Sequence, residues 1–185
     1  MAEIRTIAVI GAGTLGREIA YASVLGGYRT ILEDILPASL RNAAAELRER
    51  LTRGTNVGSV SEAEATAAFS RLQYAATVEQ AAREADLVIE AVPDEMESKI
   101  EIFTLLDKIC KPATILASNT ASLSVTEIAS VTYRAPKVLG MRFANGAATK
   151  LLEMVRGRET SDETIASCAE VARRLGREVV VVADR

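Results

Sequence analysis

The chain has 185 residues, 49% hydrophobic, 25% charged and 4% aromatic, with a formal net charge of −3. That balance belongs to a globular protein with a buried core rather than to a disordered or fibrous chain. Interspersed charges and few aromatic rings exclude a basic or base-stacking nucleic-acid surface, and no apolar run approaches the roughly 20 residues of a membrane span.

The first residues, Met1-Ala2-Glu3-Ile4-Arg5, run straight into a strand pattern with no charged leader or apolar signal core, which predicts a cytoplasmic protein. The strand ends at Ile7-Ala8-Val9-Ile10 and is followed at once by Gly11-Ala12-Gly13-Thr14-Leu15-Gly16 and a helix carrying Leu15, Ile19 and Ala22 on its apolar side. In that context the glycine pattern predicts a dinucleotide site. Gly11 permits a tight turn, Gly13 lets the backbone approach a pyrophosphate, and Gly16 lets helix and strand pack closely. The diphosphate is expected on the free N–H groups and positive end of the helix. The next strand, Thr30-Ile31-Leu32, leads to Asp34, 18 residues beyond Gly16. This is near the roughly 20-residue spacing of the carboxylate that binds an adenosine ribose and favours NAD over NADP. Glu33 competes for that role; strand alternation favours Asp34.

Residues 37–69, rich in Ala, Arg and Glu, predict a helical hairpin broken near Gly54-Thr55-Asn56-Val57-Gly58 and projecting from the sheet. Leu87-Val88-Ile89, Thr114-Ile115-Leu116, Val138-Leu139-Gly140-Met141 and Val179-Val180-Val181-Val182 read as strands covered on both faces. Between them lie helices over 96–110, with Met96, Ile100, Phe103, Leu106 and Ile109 in register, and over 161–175. Thr160 to Glu163 fits a capping box, and Gly176 stands where the second helix should stop. The alternation predicts an α/β fold of the Rossmann type, a doubly wound and mostly parallel sheet, with residues 1–185 as one dinucleotide-binding domain. Cys110 and Cys168 are lone thiols, and there is no histidine. No metal site or disulfide framework is expected.

Several further motifs stand in order: Asp86-Leu87-Val88-Ile89-Glu90-Ala91-Val92-Pro93, then Lys99, Ala117-Ser118-Asn119-Thr120, Leu139-Gly140-Met141 with Phe143 and Asn145, and Lys150-Leu151-Leu152-Glu153. With the glycine loop they resemble the NAD-binding domain of the 3-hydroxyacyl-CoA dehydrogenase family over nearly the whole chain. The resemblance implies hydride transfer between NAD and the 3-position of an acyl-CoA, as in fatty-acid metabolism. It implies that the Glu90-Ala91-Val92 loop, Asp94 and Lys99 serve the nicotinamide-side ribose. Asn119 would line the nicotinamide, Ser118 would face the substrate, and Arg50 and Arg53 on the hairpin would meet the CoA phosphates.

The chain departs from the family on the chemistry. Where the family has a histidine general base this chain has Arg142, while the orienting Glu153 and the neighbouring Asn145 remain. Arg142, Asn145 and Glu153 are therefore the candidate catalytic set. A guanidinium polarises a ketone but does not take the proton of an alcohol. Ala121 stands where the family has a substrate-binding serine, and Gly146-Ala147-Ala148-Thr149 is one residue shorter than the family's loop. Two readings stay open: a dehydrogenase of this type, and an NAD(H)-binding module that has lost the family's base. Where the sequence ends, the family continues into a helical domain that closes over the substrate and makes the dimer. The partners implied are an acyl-CoA-type substrate and either a second copy or that helical domain.

Overall fold

The computed structural model describes residues 3–143 and 150–184. It opens on strand β1 (Thr6–Ile10), helix α1 (Thr14–Leu25) and strand β2 (Arg29–Glu33). Two helices, α2 (Pro37–Asn56) and α3 (Glu62–Arg71), then lead to β3 (Leu72–Ala75). Next come α4 (Val78–Ala82), β4 (Leu87–Glu90), α5 (Met96–Ile109), β5 (Ile115–Ser118) and α6 (Val125–Ala129). The last elements are β6 (Val138–Phe143), β7 (Leu151–Arg156), α7 (Asp162–Arg174) and β8 (Glu178–Ala183).

Among the described residues, eight strands form one sheet in the order β3-β2-β1-β4-β5-β6-β7-β8. Pairing is parallel from β3 through β6, antiparallel between β6 and β7, and parallel again between β7 and β8. This is the mostly parallel, doubly wound sheet that the alternating pattern predicts, and α2 and α3 are its projecting hairpin.

β1, β4 and β5 are buried at every residue. Successive side chains point to opposite faces, so Ile7 and Val9 join Ile19 and Val171 of α1 and α7 on one side, whereas Ala8 and Ile10 join Ala81, Phe103 and Val125 of α4, α5 and α6 on the other. Fully burying a side chain of the size of Ile7 or Phe103 stabilises the fold by about 1.5–3 kcal/mol each. Among the described residues no helix is long and apolar enough to cross a membrane.

Four features differ from expectation. The hairpin breaks at 57–61, because Gly54 stays inside α2, buried against Val60. The cap of α7 is Ser161, which accepts the Thr164 N–H, and not Thr160. The Thr160 hydroxyl donates to the Val138 carbonyl and accepts from the Gly157 N–H, tying the turn before α7 to the start of β6. β8 is not covered on both faces: it is the edge of the sheet, where Val180 and Val181 remain 47% and 46% exposed. Finally, β3, α4, α6 and β7 are elements the sequence pattern did not announce. The end of β8 is pinned across the fold, since the Asp184 carboxylate accepts from the Ser124 hydroxyl and the Val125 and Thr126 amides at the start of α6.

Candidate functional site

Because β2 and β3 lie on one side of β1 and β4 to β6 on the other, the chain leaves the tips of β1 and β4 in opposite directions. A crevice opens there, at the carboxyl ends of parallel strands. It is a cleft of ≈ 990 Å³, reached by Gly11, Gly13, Thr14, Leu15 and Asp34 on one side and by Ala91, Val92, Asp94 and Asn119 on the other. Three glycines shape the first wall. Gly11 has φ +102°, a left-handed conformation that glycine adopts without strain. A side chain on Gly16 would collide with the Gly11 carbonyl, so the start of α1 rests against the loop. At Gly13 a side chain would meet nothing within 4 Å, because this position faces the open cleft.

Gly13 is the N-cap of α1, makes no side-chain cap bond, and is followed by no acidic residue in the first turn. The first N–H groups and the positive end of the helix are thus left for an anion. Ala12 lies behind this wall, and its N–H is held by Asp34 Oδ2 at 2.9 Å, while Asp34 Oδ1 accepts the Leu36 N–H at 2.9 Å. Each oxygen keeps a further lone pair for a ligand. Glu33 also lines the cleft and is 4% exposed. Its burial, together with the Asp34 charge beside it, pushes its carboxyl up to about 7.

At the other end, Glu90, Lys99 and Ser118 lie beneath the surface rather than on it; all three are fully buried. Lys99 Nζ donates to both Glu90 oxygens, at 2.7 and 2.9 Å, and Ser118 Oγ donates to Glu90 Oε2 at 2.7 Å. The Val92 N–H donates to Glu90 Oε1. In this structure Ser118 supports Glu90 from beneath the surface, and Glu90 and Lys99 join the two loops. Above them Asp94 accepts from the Ala121 N–H and the Ser122 hydroxyl, and lies 3.6 Å from Lys99 Nζ. Burial alone would raise the Asp94 carboxyl; the Thr120 hydroxyl, the Lys99 charge and the Ala121 amide outweigh it and hold it below the usual range. Asn119 accepts the Phe143 N–H through Oδ1.

Arg142 and Glu153 face each other across the antiparallel β6–β7 pair. Arg142 Nη1 meets Glu153 Oε1 at 2.6 Å, and Nε donates to the Thr120 carbonyl at 2.8 Å, so the guanidinium ties both strands to the loop after β5. The two side chains are 27% and 38% exposed. Asn145, the third candidate, lies outside the described residues, as do residues 146–149.

The hairpin arginines lie apart from the cleft lining. Arg50 stacks over the Tyr21 ring at 4.3 Å and lines a shallow groove with Arg174 and Arg177, whereas Arg53 is paired with Glu49 on the surface of α2. Residues the sequence reading passed over are Val78, Glu79, Ile102 and Leu105, which also line the cleft. Ile102 and Leu105 fall off the buried stripe of α5, and that mismatch was the available signal. Val78 and Glu79 belong to a five-residue helix too short to carry a period.

A family model described as "3-hydroxyacyl-CoA dehydrogenase, NAD binding domain" matches residues 6–185. A probable 3-hydroxybutyryl-CoA dehydrogenase of Bacillus subtilis is 40% identical over 183 residues, 98% of this chain and 63% of that protein. A 3-hydroxyadipyl-CoA dehydrogenase of Escherichia coli is 34% identical over 97% of this chain and 38% of that protein. Among solved structures, (S)-3-hydroxybutyryl-CoA dehydrogenase from Ralstonia eutropha superposes with a TM-score of 0.93 at 33% identity, over 99% of this chain and 65% of that one. The chain thus spans less than two thirds of these relatives. Glycine loop, pinned carboxylate, crevice and matched sequence agree: the chain belongs to the 3-hydroxyacyl-CoA dehydrogenase family and forms its NAD-binding domain.

Proposed function

We propose that residues 1–185 act as one cytoplasmic unit that positions NAD(H) for hydride transfer with the 3-hydroxy or 3-keto carbon of an acyl-CoA, as in fatty-acid oxidation. The observation that carries this reading is the open Gly13 cap of α1 beside a carboxylate, Asp34, already oriented by two amides. When bound, NAD(H) supplies or accepts the hydride. The free amides at the start of α1, after Gly13, would hold the pyrophosphate, and Asp34 would accept the ribose hydroxyls and repel a 2′-phosphate. Ala91, Val92, Asp94 and Asn119 flank the nicotinamide end, on loops kept in place by the Glu90–Lys99–Ser118 cluster. Arg142, oriented by Glu153 and by the Thr120 carbonyl, donates a hydrogen bond to the substrate carbonyl oxygen, with Asn145 nearby in sequence. A guanidinium does not give up its proton readily, so in ketone reduction the oxygen takes its final proton from water. Arg50 and Arg53 supply positive charge for the CoA phosphates, and a second copy or a helical domain completes the substrate pocket.

The test is a fluorescence titration with NADH followed by NADH oxidation with acetoacetyl-CoA. Saturable binding and turnover above the protein-free rate support the reading. Binding without turnover would favour a second reading, an NAD(H)-holding module, for which the closed Arg142–Glu153 ion pair is the specific observation.

A further inference from the structure

The cleft is lined by four carboxylates, Glu33, Asp34, Glu79 and Asp94, and among the described residues by no lysine or arginine. A dinucleotide adds the two negative charges of its pyrophosphate to the same space. Two of the four acids are held by hydrogen-bond donors. Asp34 is held by the Ala12 and Leu36 amides, and Asp94 by the Ala121 amide with Lys99 close by. Glu79, in the first turn of α4, is exposed to water.

Glu33 is different. It is buried, and the elements around it bring no cation: β1 sets Ile10 and β3 sets Ala75 beside it in register, α4 brings Glu79, α5 brings Ile102 and Leu105, and Asp34 is its chain neighbour. The Gly11 amide, first of the phosphate loop, is the donor that favours its anion, and burial with the Asp34 charge outweighs it. A bound pyrophosphate would therefore set its charge in the same cleft as an anionic Glu33, with no cation from the lining between them. Burial of an uncompensated charge is relieved by protonation.

We propose that Glu33 is the proton-linked group of this cofactor site, so that NAD(H) binding above neutrality takes up one proton from solvent onto the Glu33 carboxylate. The step forms one O–H bond and nothing else changes. It rests on the dinucleotide reading of the cleft and makes the cleft one charge less negative as the diphosphate enters. The acid beside Asp34 thereby sets the pH range over which the cofactor is held.

Calorimetric titration of the chain with NADH near pH 8, in phosphate and in Tris, reads proton uptake directly, because the two buffers release protons with different heats. The expected result is a buffer-dependent heat corresponding to nearly one proton, and an affinity that falls about tenfold between pH 6 and pH 8. Glu33→Gln should bind with a flat pH profile and no buffer dependence; Glu79→Gln should keep both. Buffer-independent heat in the unaltered chain, or a slope that survives Glu33→Gln, would overturn the proposal while leaving the cofactor reading intact. Absence of NADH binding at every pH would overturn both. If Glu33→Gln does not fold, the two-buffer comparison on the unaltered chain decides alone.

Discussion

Asp34 does two jobs with one carboxylate: it staples the glycine loop through Ala12 and the turn after β2 through Leu36, and it presents its remaining lone pairs to the cleft. Removing it costs both. Asp34→Ala is expected to weaken NADH binding about 10- to 100-fold, in line with the loss of hydrogen bonds to a charged group, and to narrow the preference for NADH over NADPH. Parallel titrations with the two cofactors check this, and unchanged affinity for both would sink the assignment. Arg142 poses the converse question, since two of its donors, Nε and Nη1, are engaged by the Thr120 carbonyl and Glu153. Replacing it by histidine opposite the same glutamate restores a side chain able to exchange a proton. Arg142→His should raise acetoacetyl-CoA reduction by tens-fold or more, within the roughly 10²–10⁴-fold range of general acid–base catalysis. An unchanged rate in steady-state assays would place the limitation elsewhere in the pocket.

At the scale of elements, the junction of β1 and α1 contains two glycines with opposite reasons for being glycine, Gly13 in the loop and Gly16 in the first turn of the helix. A methyl group on Gly16 collides with the Gly11 carbonyl, whereas one on Gly13 meets only the open cleft. Gly13→Ala should leave the urea midpoint nearly unchanged while weakening NADH binding, and Gly16→Ala should lower the midpoint as well. Equal effects of the two on stability would contradict this division. The β4 and β5 loops depend on Lys99, whose replacement by methionine strands Glu90 and should cost about 3–5 kcal/mol by chemical denaturation. Much of this was legible in the sequence, because β1, α1, β2 and the hairpin have long periods and glycine punctuation. The supports were not. Ser118 and Glu90 look like ligand contacts until the β4–β5 register sets them side by side under the surface. The half-exposed Leu72-Gln73-Tyr74-Ala75 and the five-residue α4 and α6 are too short or too mixed for periodicity to show. Val179 to Val182 read as a buried strand because four valines look the same at an edge as in a centre, and only the sheet order tells them apart.

For the whole molecule, buried and paired carboxylates set opposing limits on stability with pH. Burial pushes against the Asp86 and Asp184 charges, but Lys111 and the Arg5 and Thr6 amides hold Asp86 below its ordinary range, and the Ser124 and Thr126 groups with the Val125 amide do the same for Asp184. A lowered carboxyl contributes stability that is present above its unfolded value and is lost as pH falls through the folded one. Glu33 works in the other sense. Its folded value of about 7 lies above the ordinary 4.5, so the folded chain binds the proton more tightly than the unfolded chain. That contribution is complete below 4.5 and is lost as pH rises through about 7. The chain without cofactor should therefore be most stable at mildly acidic pH and lose on the order of 2 kcal/mol towards pH 8 from this group. Glu33→Gln removes the ionisation but keeps the shape, so its melting temperature should match the parent near pH 5 and exceed it near pH 8. The acid limb, governed by Asp86 at the start of the central strand β4 and by Asp184 at the end of the edge strand β8, should be the same in both. A melting series across pH separates the two limbs, and a parallel shift of the whole curve would show that Glu33 acts through packing and not through its charge.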